Sequence, residues 1–163
     1  MELAREGDEV ATVPSTMLAW EPVPPGRLVN RGFAVADQLE AHDWTLLDDR
    51  PGFLRINAHL PPHLCNPQGM LFGGYTGTYV DFVSLHALRA GEDRTDPDLP
   101  RHFIITINMR IDYFEPLVGP RFVMEAEVVN QRGRTALVAM RMLQDDVTAV
   151  YALTTLRTTD TRL

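Results

Sequence analysis

The stretch Asn66-Pro67-Gln68-Gly69-Met70-Leu71-Phe72-Gly73-Gly74-Tyr75-Thr76-Gly77-Thr78-Tyr79-Val80-Asp81 decides how the rest of the chain is read. Asn66-Pro67 and Gly69 are turn chemistry, so the segment opens as a loop. From Gly73 to Ala90 the pattern becomes helical. Its apolar residues Tyr75, Tyr79, Val80, Phe82, Val83, Leu85 and Leu88 fall on every face. A helix apolar all round is expected to be buried. Two features stand out in it: the glycine pair Gly73-Gly74 at its start and the carboxylate Asp81 two turns further on.

A helix start presents unpaired N–H groups and partial positive charge. Glycines there let a ligand approach the backbone closely. Such a start can hold a carbonyl and stabilise the oxyanion formed on attack, an effect of roughly 3–4 kcal/mol for one donor. Asp81 needs a partner, because a carboxylate on an apolar helix is costly and Asp is a poor helix former. Its neighbours at three- and four-residue spacing are Gly77, Thr78, Ser84 and Leu85, which leave space beside it. The residues allow two readings of Asp81: a catalytic carboxylate, or a buried one bonded to sheet backbone. The amide of Asn66 can orient a water or a carbonyl, although Asn-Pro also serves simply as a turn.

Outward from this helix the pattern is β. Trp44-Thr45-Leu46-Leu47 reads as a strand, Asp48 to Gly52 as a turn, and Phe53 to Leu60 as a second strand ended by Pro61-Pro62. Downstream, Phe103 to Tyr113 alternates, with Ile105, Ile107, Met109, Ile111 and Tyr113 on one face and Thr106, Asn108, Arg110 and Asp112 on the other. Arg121 to Val129, Thr135 to Leu143 and Val147 to Arg157 follow. They are joined by turns at Arg132-Gly133 and Asp145-Asp146. Short connections imply antiparallel neighbours. The expected architecture is α+β, an antiparallel sheet of about five to six strands wrapped around one long helix. Upstream, Pro14, Pro22, Pro24 and Pro25 mark residues 1–30 as a Pro-rich extension, with 31–163 as the folded domain and a short helix from Phe33 to about His42.

Composition narrows the function. The 163-residue chain has a formal net charge of -7, which argues against nucleic acid as partner. All its basic residues are Arg, which excludes a Schiff-base or P-loop lysine. One cysteine, Cys65, permits no internal disulfide and suits a reducing cytoplasm. The acidic start has no apolar signal region, and no stretch of about 18 apolar residues suggests a membrane span. His59, His63 and Cys65 invite a metal reading, but Pro61-Pro62 prevents helical presentation of the histidines, so no metal is expected.

Asn66, Gly69, Gly73, Gly74 and Asp81 occur at the spacing of a known motif, Asn-x-x-Gly-x-x-(His)-Gly-Gly with a later Asp. The chain thus resembles hotdog-fold thioesterases of the phenylacetate-degradation (PaaI-like) type. Ile105 to Pro116, with its Tyr-x-x-Pro ending, and the Arg132-Gly133-Arg134 hairpin resemble the same family, over roughly residues 44 to 159. The resemblance implies an acyl-CoA substrate and no cofactor beyond the coenzyme A of that substrate. It also implies a homodimer or homotetramer of paired hotdogs with the active site at the dimer interface. Asp81 would be general base or nucleophile, Gly73 N–H the oxyanion hole, Asn66 the group positioning carbonyl or water, and Thr106 the holder of the attacking water. Leu71, Phe72, Gly74 and Tyr75 would shape the acyl pocket, with Arg132 and Arg134 near the CoA phosphates. One departure stands out: Phe72 occupies the position where the family commonly has His.

Two rivals come from the same fold. Hotdog hydratases and dehydratases use an Asp and a His about five residues apart, the spacing of Asp81 and His86. On a helix, however, five residues leave side chains about 140° apart. A non-catalytic acyl-CoA-binding hotdog is the other, kept open by Phe72.

Overall fold

A computed structural model describes residues 44–92 and 102–162, the last three by backbone alone. The expected 1–30 extension, the helix from Phe33 and most of the Gly91–Pro100 loop lie outside the described residues. The strands are β1 (Thr45–Arg50), β2 (Phe53–His59), β3 (His102–Tyr113), β4 (Arg121–Arg132), β5 (Thr135–Gln144) and β6 (Val147–Arg162). They form one antiparallel sheet in the order β1-β2-β4-β5-β6-β3, and the helix α1 (Gly73–Ala87) packs against it. This is the α+β architecture that the periodicities imply.

Local chemistry explains most boundaries. Asp48 to Arg50 continue β1, so the turn shrinks to Pro51-Gly52, where Gly52 takes φ 75°. Asp145 and Asp146 both adopt positive φ, 51° and 63°, as a tight two-residue hairpin requires and as Asp tolerates. The helix stops at Ala87, short of Ala90, and three turn residues lead to Gly91 at φ 75°. There a β-carbon would stand 2.7 Å from the Pro51 backbone, so only glycine fits.

Two expectations about the sheet fail. The short link between β3 and β4 does not make them neighbours: β3 pairs with β6 at the sheet edge, and β4 lies between β2 and β5. The linking segment is held at the open end of the sheet instead. Leu117 is buried in the core, Leu117 O accepts from Leu71 N–H at 2.9 Å, and Pro120 O accepts from Leu60 N–H at 2.8 Å. The two-residue alternation of β3 also breaks. Its pairing with β6 shifts register between Thr106 and Asn108, so Ile107 is bulged. Thr106, Met109, Ile111 and Tyr113 pair with Leu156, Thr154, Ala152 and Val150, the buried, helix-facing side of β6. Thr106 therefore joins the odd-numbered residues that follow it, and Ile105 and Ile107 turn away, exposed.

The core lies between sheet and helix. Leu54, Ile56, Met124, Val138, Met140, Met142 and Leu156 close over Val80 and Val83, all essentially without solvent contact. Each such side chain contributes roughly 1.5–3 kcal/mol of burial. Trp44 covers part of the helix, edge-on to Tyr79 and Phe82 with ring centroids 5.4 and 5.6 Å away. The helix is not buried all round, as its composition suggests. Phe72, Tyr75 and Thr78 are exposed, and Phe82 and Leu85 only half-buried. No helix among the described residues is long and apolar enough to cross a membrane.

The Tyr79 hydroxyl is buried with no hydrogen-bond partner among the described residues. Burial, and then the neighbouring Cys65, raise its pKa above the usual value near 10. A raised pKa means the neutral form is favoured in the fold. Its contribution is intact below pH 10 and is lost as pH rises further, because the unfolded chain ionises first. Tyr79→Phe is expected to be neutral or stabilising by about 1 kcal/mol at pH 7 and to flatten the alkaline loss of stability. Urea unfolding at pH 8 and pH 10.5 measures both.

Candidate active site

The loop before α1 is rigid for reasons its sequence makes plain. The Asn66 side-chain oxygen accepts from the N–H groups of Gln68 and Met70, both at 3.0 Å, and Asn66 N–H donates to Met70 O at 2.7 Å. Gly69 takes φ 79° to close this turn. With its oxygen occupied, the Asn66 amide has its NH2 group left to donate, so it suits a carbonyl or a water oxygen. Phe72 N–H donates to Leu64 O at 2.9 Å, which fixes the last residue before the helix.

Phe72 is the N-cap, and no side chain caps the helix. A polar side chain there would satisfy further first-turn N–H groups; the Phe72 ring does not, and only its carbonyl accepts, from Tyr75 N–H at 2.9 Å. No acidic residue stands in the first turn, so no side chain of that turn opposes an anion there. The Phe72 ring is exposed and folds over Gly74, where a β-carbon would come within 3.1 Å of it. Tyr75 stands edge-on to the ring at 6.2 Å. Leu71, expected to shape the pocket, is buried and belongs to the core cluster. Gly73 is different from Gly74. A β-carbon on Gly73 would meet only the Tyr113 ring, at 3.6 Å or more, which is ordinary contact. Packing among the described residues thus does not demand glycine at 73, although glycine weakens a helix by about 1 kcal/mol relative to Ala.

Gly73, Gly77 and Asp81 follow one another at four-residue spacing and share one helix face. That face looks toward β3: Tyr113 lies over Gly73, Ile111 over Gly77, and Thr106 bonds Asp81. The Thr106 hydroxyl donates to Asp81 Oδ1. Asp81 is half-buried and bonded to a side chain, not to the sheet backbone that one reading of it proposed. The Ile107 bulge makes this meeting possible, since unbroken alternation would turn Thr106 away if Met109 and Ile111 kept their inward places. His86 engages different partners. Its Nδ1 lies 2.8 Å from Phe82 O and its ring stacks on Phe82, so it is not paired with Asp81.

The predicted residues fall into two places. Asn66, Phe72, Gly73, Gly74 and Tyr75 gather at the helix start, with Asp81 and Thr106 two turns along. Arg132 and Arg134 flank the turn between β4 and β5 and are not brought to the helix start. Gly133 and Arg134 line a cleft of about 300 Å³ with Leu88, Arg89 and His102, at the C-terminal end of α1. Sequence reasoning missed Tyr113 as a site neighbour. Its hydroxyl donates to Gly73 O at 3.1 Å, and only its place at the end of an alternating strand hinted at it.

With this geometry in view, the comparisons are decisive on the family. The model of the thioesterase superfamily matches residues 68–151, which contain the helix start, Asp81 and Thr106. The chain belongs to the thioesterase superfamily. It is accordingly a thioester hydrolase by family. Solved structures share the hotdog fold. The PaaI protein of the Escherichia coli phenylacetic acid degradation operon is 14% identical with a TM-score of 0.63, over 75% of this chain and 88% of that one. A Ralstonia eutropha phenylacetic acid degradation-related thioesterase is 16% identical with a TM-score of 0.62, over 87% and 96%. A Streptococcus pneumoniae hypothetical thioesterase with coenzyme A is 19% identical with a TM-score of 0.61, over 74% and 91%. No curated protein sequence matches the chain.

If Gly73 is kept for what approaches it from outside the chain, Gly73→Ala should fold normally. Its melting temperature should be unchanged or higher, by up to a few degrees for a gain of about 1 kcal/mol. A clear drop in thermal melting would show that the fold itself needs the glycine.

Proposed function

We propose that this thioesterase hydrolyses acyl-CoA thioesters, with Asp81 as general base and the N–H of Gly73 as oxyanion donor. The bond between Thr106 and Asp81 beside an uncapped glycine helix start carries the reading. With its proton spent on Asp81 Oδ1, the Thr106 oxygen can still accept a hydrogen bond from a water. The other Asp81 oxygen is then placed to take the proton of that water as it attacks the thioester carbon. The carbonyl oxygen, gaining charge, is met by Gly73 N–H and the Asn66 NH2 group. Collapse of the intermediate expels the CoA thiolate, which recovers the proton. No cofactor is needed beyond the coenzyme A carried by the substrate.

One chain is half of such a site. Gly73 and Asp81 are eight residues apart on one helix, about 12 Å along its axis. They cannot act on one carbonyl unless a second copy contributes. The edge strand β3, with Phe103, Ile105 and Ile107 exposed, is the surface we assign to that pairing, in a homodimer or a pair of dimers. In this arrangement Asp81 of one protomer faces Gly73 and Asn66 of its partner. Phe72 and Tyr75 wall the acyl group. The cleft with Arg89 and Arg134 receives the phosphates of CoA, with Arg132, next in sequence to its lining residues Gln131 and Gly133, as a further candidate.

Thiol release over a panel of acyl-CoAs tests the chemistry. Asp81→Ala is expected to lose about 10²–10⁴-fold in kcat, and equal rates for the two proteins would remove Asp81 from the mechanism. Tight binding of CoA esters without turnover by the wild type would instead mark a binding protein. The shared site has its own test. Asp81→Ala and Gly73→Ala protomers, each impaired alone, should recover about a quarter of wild-type activity when mixed as dimers, since half the dimers carry one intact site. No recovery in verified heterodimers would place both residues in one chain's site.

A further inference from the structure

The first turn of α1 is poorly secured by its own sequence. Its N-cap is Phe72, whose side chain makes no capping bond although its carbonyl accepts from Tyr75 N–H at 2.9 Å, and Gly73 and Gly74 are the weakest ordinary helix formers. A turn with these properties frays, and a frayed turn cannot hold an N–H in one place. Yet the proposed reaction needs that N–H held in place, since donors act on a transition state through preorganised geometry.

The bond from Phe72 N–H to Leu64 O fixes the residue before the turn, and a contact from the sheet holds the turn itself. Tyr113, the last residue of β3, donates its hydroxyl to Gly73 O at 3.1 Å, and its ring lies against Gly73. The carbonyl does not require the bond for satisfaction, because at a helix N-terminus it is the N–H groups that lack partners. The hydroxyl does not require it either, because Tyr113 is 55% exposed and open to water. The bond's consequence is therefore geometric: it ties the first turn to the end of a sheet strand. That strand end is itself anchored, as the N–H groups of Phe114 and Glu115 both donate to Ala149 O, at 2.9 and 3.1 Å.

We infer that Tyr113 is a positioning residue, a clamp that ties the Gly73–Gly74 peptide to β3 and so steadies the turn whose Gly73 N–H is the proposed oxyanion donor. This rests on the thioesterase reading above. Tyr113 acts through Gly73 and is not assigned a contact with the reacting atoms.

Tyr113→Phe removes the hydroxyl and keeps the ring. The expected result is a fall in kcat of about threefold to tenfold, the size of one neutral hydrogen bond. KM for the acyl-CoA should stay within about twofold, since ground-state binding is not what is lost. The melting temperature should move by no more than about 2 °C, as for a surface group. Independently of turnover, amide NMR of the dimeric protein should show the Gly74 resonance shifted, because its N–H shares a peptide unit with Gly73 O. First-turn amides should exchange faster with solvent. An unchanged Gly74 amide and unchanged exchange overturn the clamp whatever the kinetics show. Shifted amides with wild-type kcat overturn its catalytic relevance. If the wild type hydrolyses no thioester, the thioesterase reading fails, and the clamp is judged on the amide data alone.

Discussion

The packing of α1 against the sheet is the interaction on which the rest depends. Thr76, Val80, Val83 and Ala87 recur at three- and four-residue spacing and are buried, the last three in one core cluster with Met124, Val138, Met140 and Leu156. Deep in this interface the Ser84 hydroxyl donates to Thr154 Oγ1 on β6 at 3.3 Å, a polar contact that is satisfied only in one register. Together these fix the rotation of the helix about its axis. Once that rotation is fixed, Gly73, Gly77 and Asp81 must face β3, because they share a single stripe. The chemistry of the site is therefore a by-product of how the core packs.

The edge strand β3 answers that stripe residue by residue. Tyr113 meets Gly73, Ile111 meets Gly77 and Thr106 meets Asp81. A regular strand could not supply all three, since Thr106 differs in parity from the other two. The single extra residue at Ile107 corrects the parity, at the cost of turning an isoleucine outward. In a chain that acts alone, exposed Ile105 and Ile107 on an edge strand are an aggregation hazard. A partner strand covering them would remove the hazard and, in the proposed arrangement, bring a second copy's helix start to Asp81.

Phe72 shows how a site can change while its backbone chemistry stays. The oxyanion donor we propose is a main-chain N–H, so Phe in place of a polar N-cap forgoes a side-chain contact and leaves that donor in place. What is lost is restraint of the first turn, and Tyr113 from the neighbouring strand is in position to restore it.

The sequence by itself determined the elements, the fold class and the family. Apolar periods of two and of about 3.6, turn residues such as Asp145-Asp146, and the spacing from Asn66 to Asp81 are local properties, and each is legible without coordinates. The glycine start was legible too, since a helix N-terminus has the same electrostatics in any fold. The tertiary structure alone decided strand order, with β3 at the edge beside β6, because two links of similar length can join neighbours or cross a sheet end. It decided that Thr106 faces Asp81, because a bulge leaves no mark in an alternating pattern. It also decided that Leu71 is core, that part of α1 stays open, and that Tyr113 reaches Gly73. These are long-range facts: they depend on which surfaces meet, and forty residues of sequence separate the tyrosine from the glycine it holds.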